Sequence, residues 1–273
     1  MTLGEVLRRA TGYLEEKGVD SPRVDAELLL AHALGLSRIQ LYTEHDRPLI
    51  EHELAAFREL TARRGRREPL AYVLGEWGFR RLTLACDARA LVPRPETEIV
   101  VERCLALLDG LEAPRVLDVG VGSGAIALAI ADEHPGALVT GVDSSPDALA
   151  LARENAERTG LDVELVEGDL HAGLTGRYEL VVSNPPYVEA GDFAALQPEL
   201  GYEPRAALVA AGETAAVARA ACDVLEPGGW LVLETGDGRA AAVAAELESL
   251  GYSAPAIWPD LTGRDRVVEA RWA

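Results

Sequence analysis

The first seventy residues carry apolar positions at helical spacing. Leu3, Val6, Leu7, Ala10 and Leu14 fall on one helical face. Thr2 and Glu5 form a T-x-x-E capping box ahead of them, and Gly18 stops the pattern. A second helix is predicted over "SPRVDAELLLAHALG", with Ser21 as N-cap, Pro22 at the first helical position and Gly35 at the end. A third runs from about Pro48 to Arg64. Such short amphipathic helices bury their apolar faces on one another, so residues 1–74 are expected to form a small helical bundle.

The pattern then changes. "PLAYVLGEWGFRRLTLACDARALVPRPETE" is rich in β-branched and aromatic residues, with Gly75 and Gly78 as turn formers. Residues 75–95 are expected to be a hairpin or extended connector that ends at Pro93 and Pro95. A helix opened by Glu96 or Thr97 follows through "IVVERCLALLDG". From Arg115 onward short apolar runs alternate with helical patterns: "RVLDVG", "GAIALAIADE", "LVTGVD", "SPDALALARENAERTG", "VELVEGD", "YELVVSN", "TAAVARAACDVL", "GGWLVLET", "RAAAVAAELESLG", "APAIWPD" and "DRVVEARWA". That rhythm predicts an α/β domain over 96–273, with a mainly parallel sheet covered by helices on both faces. No internal repeat or low-complexity tail interrupts it.

Composition narrows the function classes. The 273 residues carry a formal net charge of -19, so a whole-protein grip on nucleic acid phosphates is disfavoured. The basic run "RRGRR", Arg63 to Arg67, reads as a solvated helix end in preference to a partner-binding patch. Cys86, Cys104 and Cys222 are widely spaced and odd in number, which disfavours a disulfide framework or a zinc site. The histidines show no ligand spacing, and no metal is expected. "MTLGEVLRRA" lacks the build of a signal peptide, and no uncharged apolar run is long enough to span a bilayer. A cytoplasmic protein without membrane attachment is expected.

Two strand ends carry candidate chemistry. "DVGVGSGA", Asp118 to Ala125, lies between a strand and a helix. Its glycines let the backbone turn sharply and approach a ligand. Gly120, Gly122 and Ala125 fit the dinucleotide spacing, while Gly120, Gly122 and Gly124 fit G-x-G-x-G, which is typical of S-adenosyl-L-methionine (SAM) enzymes. Asp143 ends the next strand, where a carboxylate accepts hydrogen bonds from ribose hydroxyls of either cofactor. Asp118 tilts the choice: a carboxylate beside the glycines is awkward for a diphosphate and suits the amino and sulfonium groups of SAM.

The second strand end is "SNPPY", Ser183 to Tyr187. Two prolines have no N–H to donate, so they end the strand and leave rigid, free carbonyls. An amide or exocyclic amino nitrogen is a poor nucleophile because its lone pair is delocalised. The Asn184 side-chain oxygen and the Pro185 carbonyl can hold its two N–H bonds, and the Tyr187 ring can stack on its plane. The nitrogen then presents its π face to a methyl donor, and positioning with electrostatic stabilisation supplies the rate.

The blocks "EPLAYVLGEWGF", "LVPRPETE", "VSNPPYV", "YEPRAALVA" and "DLTGRDRVV" together resemble the PrmC/HemK family, the protein-(glutamine-N5) methyltransferases of peptide chain release factors. The resemblance implies a Rossmann-like SAM-dependent methyltransferase sheet with the last strand antiparallel, preceded by a helical substrate-docking domain. It implies that the protein transfers a methyl group to the glutamine of the Gly-Gly-Gln loop of class 1 release factors, to give N5-methylglutamine. Gly120, Val121, Gly122, Ser123, Gly124, Asp143 and Asn184 would contact SAM. Leu170 would meet the adenine where the family often has an aromatic residue. Asn184, Pro185, Pro186 and Tyr187 would cradle the substrate, with Asn184, Pro185 and Tyr187 catalytic. Glu203 and Arg205 would buttress the loop over the site. A monomer that does not bind nucleic acid directly is expected. An adenine N6 methyltransferase of DNA or RNA shares "NPPY". A non-catalytic nucleotide-binding adaptor and a nicotinamide-dependent oxidoreductase are the remaining alternatives.

Overall fold

The structure is a computed structural model that describes residues 1–168, 176–193 and 196–273. The chain packs as two compact units. One comprises residues 1–76 with 197–202, the other residues 77–196 with 203–273.

The first unit holds α1 (Leu3–Glu16), α2 (Pro22–Leu34), α3 (Arg38–Thr43), α4 (Glu51–Gly65) and α5 (Leu70–Leu74). The Thr2–Glu5 capping box forms as predicted, with both reciprocal hydrogen bonds made. Ser21 precedes α2 but its side chain caps nothing; Pro22 alone sets the start. The short α3 and α5 were not apparent in the sequence, because neither is long enough to show a helical period. Ser37 and Gln40 start α3 with their own capping box, and α5 is pinned between Pro69 and Gly75. Leu3, Leu14, Leu29, Leu30 and Phe57 meet in one apolar core.

Arg66 is exposed, but Arg63, Arg64 and Arg67 are not solvated side chains. Arg63 pairs with Glu68 at 2.5 Å. Arg64 is buried, bonded to Asp25 at 2.7 Å and to Glu199 at 2.8 Å. Arg67 meets the same Glu199 at 2.6 Å. Tyr202 donates its hydroxyl proton to the Arg66 carbonyl at 2.9 Å. Residues 197–202, from the middle of the α/β sequence, thus pack with the helices.

The second unit opens at Trp77, within a hairpin of β1 (Glu76–Phe79) and β2 (Leu82–Ala85). Its turn lies at Arg80–Arg81, where Arg80 adopts φ 52. Glu98 accepts the Arg80 N–H at 3.1 Å, and Glu133 takes its guanidinium at 2.6 and 2.7 Å. These partners hold a left-handed residue that sequence alone would assign to glycine. Gly75 instead ends α5, and Gly78 lies within β1.

The sheet contains β3 (Arg115–Val119), β4 (Leu138–Asp143), β5 (Glu164–Glu167), β6 (Tyr178–Ser183), β7 (Leu225–Glu234), β8 (Tyr252–Pro259) and β9 (Asp265–Trp272), in the order β5-β4-β3-β6-β7-β9-β8. The first five run parallel, and β9 runs antiparallel to both of its neighbours. The helices are α6 (Thr97–Leu108), α7 (Ala125–Glu133), α8 (Pro146–Thr159), α9 (Glu213–Val224) and α10 (Ala240–Leu250).

Successive strand residues point to opposite faces, and the two cores show it. Val116, Leu180 and Val182 pack with α6, α7 and α8. Leu117, Val181 and Leu231 pack with α9 and α10. Register aligns Val119 with Val142 and Ser183, and Ser183 with Leu233. One residue further on, Gly120, Asp143, Asn184 and Glu234 therefore share one sheet edge. The chain order reverses between β3 and β6, which places a crevice at that edge.

Candidate active site

The glycine turn follows β3. Gly120, Gly122 and Gly124 have φ of 75, 55 and 86, which only glycine adopts without strain. A Cβ on Gly120 or Gly122 would meet nothing closer than 3.9 Å. The missing side chains thus leave bare backbone facing open space. Gly124 differs: its Cβ would strike Leu128 at 3.0 Å, and it caps α7. Its part is to let the helix start against the core, and it does not line the cavity. Asn155 on α8 supports the turn from beneath. Its amide nitrogen donates to the carbonyls of Ser123 at 2.9 Å and Ala85 at 3.2 Å, and its oxygen accepts the Ala85 N–H at 2.6 Å.

Asp143 accepts the Gly122 N–H and the Ser145 N–H, each at 2.9 Å. Two of its lone pairs are thereby used to fix the carboxylate against the turn, and the others remain for a ligand.

A cavity of about 430 Å³ opens above this edge, within the range of small-molecule sites. Gly120, Val121, Gly122, Ser123 and Asp143 line it on one side, and Asn184, Pro185 and Pro186 on another. The segment Arg89–Arg94 and Thr97 close a third. That wall escaped the motif reading, because "LVPRPETE" looks locally like the tail of a connector. Buried Glu203 anchors it: its carboxylate accepts the Val92 N–H at 3.0 Å and pairs with the Arg94 guanidinium. Arg205 lies over the Phe193 ring at 4.7 Å.

Asn184 donates its side-chain N–H to the Thr97 hydroxyl at 3.3 Å. Thr97 donates in turn to the Glu234 carboxylate at 2.7 Å. Glu234 is only 2% exposed, and burial pushes its carboxyl up to about 7. The sequence marks Thr97 only as a helix start and gives no signal for Glu234, and no motif links the two.

Two sequence expectations change. Asp118 is 1% exposed and is not part of the cavity wall. One of its oxygens accepts the Ala127 N–H at 3.1 Å, at the start of α7, and the other has no partner among the described residues. Burial pushes it up to about 7 as well. It shares the face of Val116, which points to the α6–α8 core, so it does not discriminate between cofactors by direct contact. Tyr187 is also absent from the cavity wall. Its ring lies beside Gly236, where an added Cβ would come within 3.0 Å of it. Burial and the nearby Glu234 raise its phenol above the usual value. Leu170 lies outside the described residues.

The wall suits a nucleoside bearing an amino acid. Asp143 can accept from a diol, the bare turn admits close approach, and the prolines offer no competing donor. The residues present fit SAM by the chemistry of that donor set.

Comparison with known proteins agrees. The family model described as the methyltransferase small domain matches residues 98–232. The structure of T. thermophilus 16S rRNA N2 G1207 methyltransferase (RsmC) in complex with AdoMet and guanosine shares the fold. Its TM-score is 0.55 at 21% identity, over 72% of this chain and 50% of that one. The fold is that of a SAM-dependent methyltransferase. The model described as the PrmC N-terminal domain matches residues 5–75. Release factor glutamine methyltransferase of Geobacter sulfurreducens is 47% identical over 276 residues, covering 99% of this chain and 96% of its own length. Its namesake from Deinococcus radiodurans is 47% identical over 279 residues, covering 100% and 99%. The chain belongs to the release factor glutamine methyltransferase family.

Proposed function

We propose that the protein methylates the side-chain amide nitrogen (N5) of the glutamine in the Gly-Gly-Gln motif of class 1 peptide chain release factors. The observation that carries this reading is the donor-poor corner Asn184–Pro186 on the wall of a cavity shared with Gly120 and Asp143. When bound, SAM supplies an electrophilic methyl group on a sulfonium centre.

The chain's own residues position the partner nitrogen. The Asn184 oxygen and the Pro185 carbonyl accept its two N–H bonds. Each acceptor would draw positive charge off the nitrogen as its lone pair leaves amide conjugation to form the new C–N bond, while the methyl–sulfur bond breaks and its electron pair stays on sulfur as a neutral thioether. The nitrogen becomes acidic on attack and then loses a proton, so no strong base is needed beforehand. Tyr187 braces the corner from outside the cavity wall. Asp143 would accept hydrogen bonds from the ribose hydroxyls, and the Gly120–Ser123 turn would bring backbone to the amino-acid end.

Residues 1–74 dock the release factor away from the reacting amide, and residues 96–273 carry the chemistry. Exposed Ile39, Tyr42 and Ile50 on the helical unit offer apolar contacts for such a surface. The protein acts as a cytoplasmic monomer without direct nucleic acid binding; the internal ion pairing of Arg63, Arg64 and Arg67 supports the last point.

Mass spectrometry of a release factor after incubation with SAM and the protein tests the reading. The expected product is one added methyl on the Gly-Gly-Gln glutamine. Methylation of duplex DNA with an unchanged release factor would overturn it.

A further inference from the structure

We propose that Glu234 and Thr97 are positioning residues for methyl transfer, which hold the Asn184 carboxamide with its oxygen turned to the cavity. The inference rests on the function proposed above, and it follows from counting protons. Thr97 has a single hydroxyl proton. An ionised Glu234 can only accept, so that proton points at the carboxylate, 2.7 Å away. The hydroxyl can then only accept on its other side, where Asn184 lies at 3.3 Å. Asn184 must therefore present its NH₂ to Thr97 and its oxygen to the cavity that it lines. A substrate NH₂ needs that acceptor.

The polarity of this chain is reversible. A protonated Glu234 can donate to Thr97, freeing the Thr97 proton for the Asn184 oxygen. The carboxamide then turns over and sets its NH₂ against the NH₂ of the substrate, donor to donor. Burial places this ionisation near neutral pH. The charged groups around Glu234 are Arg266 on β9 and Arg94 and Glu96 on the wall segment, and the Tyr187 phenol after β6, raised above its usual value, faces it as a neutral group. Arg266 is itself paired with Asp260 at 3.1 Å. The two arginines favour the ionised acid and Glu96 opposes it, while desolvation outweighs them all.

The test uses the full-length protein and a release factor, with kcat measured from about pH 5.5 to about pH 8.5. Wild type is expected to lose rate on the acid side of a value near Glu234's, about 7. Glu234→Gln should lower kcat by about 10- to 100-fold, the range seen when an outer partner that orients a functional group is lost. It should lack the acid limb and bind SAM normally. Thr97→Val should behave alike, and Thr97→Ser should restore both rate and limb. Infrared difference spectra give a readout free of turnover: Glu234→Gln should remove one of the two carboxylic acid bands that titrate near neutral pH in wild type, and the band that remains should be lost in Asp118→Asn. In ¹⁵N spectra the Asn184 side-chain amide should follow that titration in wild type but not in Thr97→Val.

Wild-type kcat in Glu234→Gln, or a lower rate with the acid limb intact, would overturn the proposal; the second outcome would mark a merely structural acid. Should Glu234→Gln fail to fold, the Thr97 pair decides alone. Absence of release factor methylation by wild type would instead sink the function reading, while the spectra still judge the relay.

Discussion

Asp118 and Glu234 are both carboxylic acids buried near the same edge of the sheet, and burial pushes each up to about 7. Their surroundings differ. Asp118 accepts one backbone N–H at the start of α7 and leaves its other oxygen without a partner among the described residues. Glu234 accepts a hydroxyl that is itself bonded to Asn184. Desolvation sets how hard an acid is to ionise, and the neighbouring donors decide what its ionisation changes. At Asp118 the charge is met by a single N–H of the helix start and touches no group of the cavity wall. At Glu234 it orders a hydrogen bond at the cavity wall.

The largest effect is expected from cutting the Glu234 chain at its cavity end. Asn184→Ala should lower kcat by roughly 10²–10³-fold, the cost of losing one preorganised partner in the transition state. SAM binding should stay measurable by calorimetry, because Asp143 and the glycine turn are untouched. Unimpaired turnover would show that Asn184 is not the end of the chain, and the contrast between the two acids would lose its functional side.

Asp118→Asn probes the other acid, through stability. The folded value near 7 lies above the roughly 4 of an unfolded Asp. Between those values the folded protein holds the proton more tightly. The linkage is fully stabilising below about pH 4 and is lost as pH rises through about 7. Wild type should therefore be less stable at about pH 8 than at about pH 5, by at most about 3 kcal/mol from this group at ~1.4 kcal/mol per unit. Asp118→Asn should flatten that slope in chemical denaturation, and combining it with Glu234→Gln should flatten it further, since both acids are shifted the same way. Asp118→Asn should leave the acid limb of the rate in place. Loss of the limb in this variant would mean that the two acids are not separable.

What was legible in the sequence follows the range of the interactions. Helix caps, the strand–helix alternation, the glycine turn, Asp143 and Asn184 are local patterns, so a window of a few residues exposes them. The Thr97–Glu234 bond spans 137 positions and the Val92–Glu203 bond 111, and no local rule joins such pairs. The arginine run shows the same limit: its acids Asp25 and Glu199 lie 39 and 135 positions from Arg64. Asp118 is a different lesson. Nearness to the glycines along the chain suggested nearness to a ligand, yet strand alternation puts residue 118 on the face of Val116, under α7. That parity was readable beforehand.

The smallest effect is expected at Gly236, two residues past Glu234. No positive φ is needed there, so alanine meets only a steric obstacle: its Cβ would sit 3.0 Å from Cδ2 of Tyr187 and 3.5 Å from Cδ of Arg239. The ring must shift by a few tenths of an ångström, a mild case of overpacking that should cost about 1 kcal/mol. Because Tyr187 braces the corner from outside the cavity wall, Gly236→Ala should lower kcat by only about two- to tenfold, at unchanged SAM affinity, if the Tyr187 ring acts by packing alone. The pH profile adds the sharper reading. Glu234 reaches the cavity through Thr97 and Asn184, so moving the neighbouring ring should leave the acid limb where it is. A displaced limb would place Tyr187 within the path by which Glu234 is felt, and the difference between the buried acids would then rest on an aromatic neighbour as well as on a hydroxyl.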